Sequence, residues 1–217
     1  MNAMTRFPLA LAEAAPPTRP NQRAVAKQRT REKVIAAAKA LFAERGYDRA
    51  TIRDIAKAAG MSTGAVFASF TDKSDLFVEI AEAEQAELGA AMTRAAAGRT
   101  GREALVAMLE AAAERQMSEL TLVQAVMSAL WTPGLCEKMR RRLDRRPLTD
   151  LLAEVVSEDL DRRDDAPGPD ARLLAEMLWD GYLATVRRAA AQSLPLPALK
   201  ARIGELVTTV LSGARLR

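Results

Sequence analysis

The sequence predicts an all-α fold, and three observations carry that expectation. Ala, Leu, Arg and Glu, all strong helix formers, are plentiful. Aromatic residues are only 4%, and the β-branched runs that announce strands are nearly absent. Apolar residues instead recur at i, i+3, i+4 and i+7, the period of one helix face. With 217 residues, 49% of them apolar, the chain can bury a core sufficient for one large domain or two small ones.

Taken in order, residues 1–20 read as a disordered leader. The apolar patch at residues 7–12 is too short for a signal-peptide core, and Pro16, Pro17 and Pro20 follow it. Residues 19–33 hold six basic side chains (Arg19, Arg23, Lys27, Arg29, Arg31, Lys33) against one acid, Glu32. They form a basic arm that is either solvated or reaches a minor groove through Asn21, Gln22 and Arg23. A first helix is expected with Val34, Ala38, Leu41 and Phe42 on its inner face and Gly46 as its C-terminal cap. Thr51 and Asp54 have the spacing of a capping box, opening a short helix with Ile52, Ile55 and Ala56 inside. Gly60 supplies a turn, and Ser62 caps a second short helix reaching about Ser69, with Val66 and Phe70 inward. Two short helices joined by a Gly-containing turn make a helix-turn-helix.

A further helix should open near Thr71 and Asp72 and reach about Ala97. Helical stripes then recur: Leu105, Met108, Leu109, Ala112; Val123, Val126, Met127, Leu130; Leu148, Leu151, Leu152, Val155; Leu174, Met177, Leu178, Gly181; Ile203, Leu206, Val207, Val210. Pro133 with Gly134, Pro147, residues 164–169 and residues 195–197 break them. The expected organisation is a leader at 1–20, a helix-turn-helix domain at 21–75 and a bundle of about five helices at 76–217.

Composition narrows the chemistry. No histidine is present, so the commonest general base and the commonest transition-metal ligand are missing. Gly-rich phosphate loops and metal-ligand clusters are also missing, and carboxylate pairs such as Glu110 with Glu114 lie on an Ala-rich helix where acids are usually solvated. No enzyme, cofactor or metal is expected. Cys136 cannot close an intrachain disulfide and reads as a buried thiol in a reducing, cytoplasmic protein. The longest uncharged run, residues 120–136, is too polar for a membrane span. Residues 1–75 carry 13 basic and 7 acidic side chains, whereas residues 76–217 carry 19 and 21. The basic excess therefore sits wholly in the first third, as for a polyanion-binding head on a neutral body. The run Arg140, Arg141, Arg142, Arg145, Arg146 points around a helix and reads as a solvated surface.

Residues 33–80 resemble the N-terminal domain of the tetracycline-repressor (TetR) family. The matching features are A-x-x-L-F-x-E-x-G-Y at the end of the first helix, then T-I-R-D-I-A-x-x-A-G-M-S, then F-x-x-F-x-x-K-x-x-L. The resemblance implies a symmetric homodimer acting as a ligand-released repressor on a partly palindromic double-stranded operator, with the second motif helix in the major groove. It implies that Thr51, Arg53 and Lys73 sit at phosphates and that Ser62, Thr63, Gly64 and Ala65 open the reading helix. The basic arm (Arg23, Lys27, Arg29, Arg31) adds to this surface. Where the family usually has Lys, Thr and Tyr, this chain has Thr63, Ala65 and Phe67. The reading helix thus offers no Arg, Lys, Asn or Gln between residues 62 and 69, leaving hydroxyls and thymine-methyl contacts.

In the second domain, Met108, Met127, Trp131, Met139 and Trp179 are candidates to line a pocket for a medium-sized, largely apolar effector, with plain core packing as the alternative for each. Trp179 and Leu183 lie partly off the main stripe of their helix, which points to a second partner. Leu178, Ile203, Val207 and Val210 are expected at a dimer seam formed as a four-helix bundle across two chains. Two other readings remain open: a ligand-independent or nucleoid-associated DNA binder, and a helical scaffold protein.

Overall fold

The computed structural model describes residues 22–129, 137, 142, 146–161 and 170–213, and these are all helix and short connections. The named helices are α1 (Gln22–Arg49), α2 (Ile52–Ala58), α3 (Thr63–Phe67), α4 (Lys73–Ala96), α5 (Gly101–Ser118), α6 (Leu120–Ala129), α7 (Arg146–Asp161), α8 (Ala171–Ala191) and α9 (Leu196–Gly213). The leader, Leu130, Trp131, Cys136, Met139 and the arginines at 140, 141 and 145 lie outside the described residues.

The first helix starts earlier than its apolar stripe. The basic segment from Gln22 onward is the N-terminal extension of α1, not a separate arm. Val34, Ala38, Leu41 and Phe42 are buried as their spacing requires. Gly46 adopts φ 77°, ψ 171° and breaks the helical path, a backbone conformation that costs a residue with a Cβ. Beyond it, the rings of Phe42, Tyr47 and Phe77 meet edge-on or tilted at 4.8–5.8 Å, which locks α1 to α4.

Two cores result. One lies beneath the helix-turn-helix and gathers α1, α2, α3 and the first half of α4, with Leu122 and Ala125 of α6 added. The other holds Leu88 and Met92 of α4 with α5, α7, α8 and α9. The long helix α4 belongs to both, so the expected boundary at residues 75 and 76 falls inside a continuous helix. Both α4 and α6 pack against α1, and these two helices connect the N-terminal head to the bundle.

The bundle's stripes follow the sequence with instructive exceptions. Leu105, Met108, Leu109 and Ala112 are buried. On α8 the inward set is Leu174, Ala175, Leu178, Trp179, Tyr182 and Val186, whereas Met177 is 51% exposed. On α9, Ile203 and Val207 are fully buried within their own chain, and Val210 is only partly covered. The expected dimer seam at Leu178, Ile203 and Val207 is therefore corrected, because that face is already consumed by the intrachain core. Spacing at i, i+7 establishes that two residues share a face, but not which neighbour takes it. A Cβ at Gly181 would lie 2.8 Å from Leu206 Cδ1, so the packing of α8 on α9 uses the missing side chain.

Candidate nucleic-acid interface and internal cavity

The geometry of the helix-turn-helix is set by local hydrogen bonds. Thr51 caps α2: its Oγ1 accepts from the Asp54 amide at 3.2 Å, and the Thr51 amide donates back to Asp54 Oδ2 at 3.3 Å. The Thr51 hydroxyl also donates to that carboxylate at 2.6 Å, and this bond first of all holds the Asp54 carboxyl below the ordinary aspartate range. At the other end, the Gly60 amide donates to Lys57 O and the Met61 amide to Ala56 O. That pair of bonds is a Schellman turn, and Gly60 takes the left-handed position at φ 68°. Ser62 then caps α3, its Oγ accepting from the Ala65 amide at 3.2 Å. Val66 and Phe70 are buried. Buried Val66 anchors α3, so the opposite side of the short helix faces outward.

The outward surface contains Thr51, Arg53, Ser62, Thr63, Gly64 and Phe67, with Ala65 half-buried. Phe67 is 54% exposed, a large apolar ring held in water. Lys27 and Arg29 are exposed on the α1 extension, and the side chain of Arg23 lies outside the described residues.

Two basic residues of the expected DNA-binding surface, one phosphate ligand and one arm residue, are occupied elsewhere. Lys73 donates to the carbonyls of Tyr47 at 2.9 Å, Ala50 at 3.1 Å and Asp48 at 3.4 Å, and its ammonium sits 4.2 Å from the Tyr47 ring centroid. An ammonium has three hydrogens, and all three are engaged. Burial pushes its pKa down, against the charge of Asp48. Lys73 thus ties the α1–α2 connection to the start of α4, which corrects its expected place at DNA. Arg31 behaves similarly. Its guanidinium makes a forked pair with Glu79 of α4, donates to Ser69 O at 2.8 Å and lies over the Phe70 ring at 4.4 Å. It clamps the end of the reading segment against α4, so it too is corrected from free basic arm to internal staple. The arginine run is likewise drawn inward at one point: Arg142 pairs with Glu82 and Asp75 of α4.

Behind the head lies a cavity of about 130 Å³ between α4, α5, α6 and α8. Leu88, Leu122, Val126, Met127, Trp179 and Leu183 supply apolar lining. Of the candidate lining residues, Met127 and Trp179 are present there. Met108 is not, being packed in the bundle core, and Trp131 and Met139 are undescribed. An adjoining groove of about 660 Å³ shares Gln116, Val123, Met127 and Leu183 with the cavity.

Sequence reasoning missed the polar wall. Glu84, Arg115 and Glu119 line the cavity and belong to an ionic network that reaches the head: Lys39 of α1 bonds Glu84 at 2.9 Å and Glu119 at 3.2 Å, and Arg115 bonds Glu84 at 2.9 Å. Burial draws the Lys39 ammonium down, but its bonds to Glu84 and Glu119 outweigh this and leave its pKa above the ordinary lysine value. Buried Gln116 accepts the Tyr182 hydroxyl proton at 2.7 Å, and burial pushes the Tyr182 hydroxyl far up, so it stays protonated. A signal existed, since Gln116 continues the stripe of Leu105, Leu109 and Ala112 as a polar residue on a buried face. Among the described residues no cluster of potential metal ligands occurs, and no helix is long and apolar enough to cross a membrane.

Residues 34–80 match the family described as bacterial regulatory proteins of the tetR family. The HTH-type transcriptional repressor Rv1474c of Mycobacterium tuberculosis is 29% identical over 167 residues, spanning 71% of this chain and 80% of that one. The match of residues 34–80 identifies the N-terminal head as that of the tetR family of bacterial regulatory proteins. The head is also 42% identical over 62 residues to the regulator AcrR of Shigella flexneri, a match confined to 29% of each chain. The fold resembles that of the regulator FadR from Bacillus subtilis, solved with stearoyl-CoA, at TM-score 0.71 and 22% identity over 81% of this chain and 96% of that one. Helices α2 and α3 lie within the matched residues 34–80, and the chain is a DNA-binding transcriptional regulator.

Proposed function

We propose that the regulator is a cytoplasmic homodimeric repressor that holds a partly palindromic operator and leaves it when an apolar effector occupies the bundle. The relative in M. tuberculosis is named a repressor, which supports the sign of regulation. The single observation that carries the reading is the position of the cavity. Its wall includes Glu84, Arg115 and Glu119, and the same network ends on Lys39 in α1. An effector that displaces these side chains also disturbs the seat of the head. A coupling of about 1–3 kcal/mol between the two sites suffices for control. The FadR neighbour holds stearoyl-CoA, in keeping with a largely apolar effector.

Dimerisation is assigned to the outer face of α8 and α9. Leu173 and Met177 are 54% and 51% exposed one turn apart on α8, Gly181 continues that spacing one turn on and meets Leu206 of α9, and Leu206 and Val210 are only partly covered. Exposed large aliphatic side chains in one stripe are costly unless a partner covers them.

Readout of the operator rests on Ser62 and Thr63 hydroxyls, on methyl contacts from Thr63 and Ala65, and on duplex shape. Genome-wide mapping of bound DNA, followed by shift assays on the recovered site with uracil replacing each thymine, tests this reading. A specific site with strong thymine positions is expected. Equal retention on random duplexes would refute the repressor, and uracil-insensitive binding would refute the readout.

A further inference from the structure

The cavity has an asymmetry in its hydrogen-bonding groups. Trp179 lines it and is only 4% exposed, yet its buried Nε1 has no hydrogen-bond partner among the described residues. Indole N–H is a donor only, and buried donors are almost always paired. Gln116 stands at the junction of cavity and groove, lining both. Its Oε1 accepts from the Tyr182 hydroxyl, and its amide nitrogen is the donor end of the same side chain. The carboxylates on the same wall are held in ion pairs, Glu84 by Lys39 and Arg115, and Glu119 by Lys39. The buried polar atom left without a partner among the described residues is therefore a donor, the Trp179 indole N–H, in a lining rich in aliphatic side chains.

From this we infer that the site selects a ligand carrying an acceptor oxygen, as carbonyl, ester or carboxylate, bonded to Trp179 Nε1 and the Gln116 amide, with an apolar group beyond it. The inference rests on the reading of this cavity as the effector site. The apolar group that enters the cavity is about the size of one benzene ring or a short alkyl segment, since its volume of about 130 Å³ is close to that of engineered cavities that bind benzene. Whatever extends past the oxygen runs along the groove between Gln124 and Arg187. A purely hydrocarbon ligand would fill the void equally well but leave the indole donor unpaired, so the acceptor is a discriminating element and not a space filler.

Three ring-sized probes test this on the full-length protein by calorimetry: acetophenone as neutral carbonyl, benzoate as carboxylate, and ethylbenzene with no acceptor. At least one oxygen-bearing probe should bind about tenfold more tightly than ethylbenzene, the scale of one buried hydrogen bond. Which one does so separates a neutral from an anionic acceptor. Trp179→Phe, which removes the donor and keeps a ring, should bring the ratio towards one. Gln116→Met gives the same readout if the Trp179 variant fails to fold. Equal binding of all three probes by the wild type overturns the acceptor inference and leaves the cavity as an apolar effector site. Binding of none overturns both.

Discussion

Replacing Lys73 by Met separates a structural role from a DNA-binding role in one experiment. Two of its bonds, to Tyr47 O and Ala50 O, are of ordinary length, and the third, to Asp48 O, is long. A hydrogen bond from a charged donor contributes about 1.5–3 kcal/mol, and a cation over an aromatic face about 0.5–1 kcal/mol more. Against these stand partial desolvation of the ammonium, seen in its lowered pKa, and about 2 kcal/mol of rotamer entropy. Because the side chain is only half-buried, we take the low end of each gain, for a net of about 1–2 kcal/mol. In a chain of this size that corresponds to a fall in Tm of about 2–8 °C by thermal unfolding. The slope of log K against log salt in operator binding should hardly change, since no phosphate contact is lost. A variant with wild-type Tm and a slope reduced by about one unit would refute the assignment and return Lys73 to the DNA.

Arg31→Ala should lower unfolding stability by about 1–3 kcal/mol through lost forked pairing, seen as a fall in Tm, whereas Arg29→Ala should leave Tm alone and reduce the salt slope, so matched unfolding and shift assays distinguish staple from arm. Met177→Asp with Leu173→Asp should give a folded monomer by light scattering and circular dichroism, while Ile203→Asp should unfold the chain; a tight dimer from the first would refute the α8 seam. Stability above the carboxylate range should be flat between about pH 6 and 8, because the chain has no histidine. Asp54 has a depressed folded pKa, so its capping contribution is present above the unfolded aspartate value and is lost as pH falls through the folded one. Asn at position 54 should therefore flatten the acid limb of a Tm–pH curve.

The helices, their caps and the helix-turn-helix were legible because their causes are local. Thr51 with Asp54, Gly60 and Ser62 each satisfy backbone groups within a few residues, and such spacing is written in the chain. The resemblance of the head to the tetR family was legible because residues 33–80 keep many ordered matches. What periodicity left undecided was the destination of each face. Ile203 and Val207 read as seam from their spacing, and the packing of α9 on α5 and α8 gave them to the core instead.

Charge was the least legible property. The basic excess of the first third is a sum over residues and correctly located a DNA-binding head, as the fields of separate charges add whatever their partners. The fate of a single cation depends instead on which acceptor lies within about 3 Å, and that is set by contacts distant in sequence. Glu79 lies 48 residues from Arg31, the Tyr47 carbonyl 26 from Lys73, and Glu84 45 from Lys39. The sequence by itself determined an all-α regulator with a capped helix-turn-helix on a basic head. The tertiary structure alone decided which basic residues remain free for DNA, which staple the head to the bundle, and where an unpaired indole donor meets a cavity, because these follow from short-range contacts that only folding brings together.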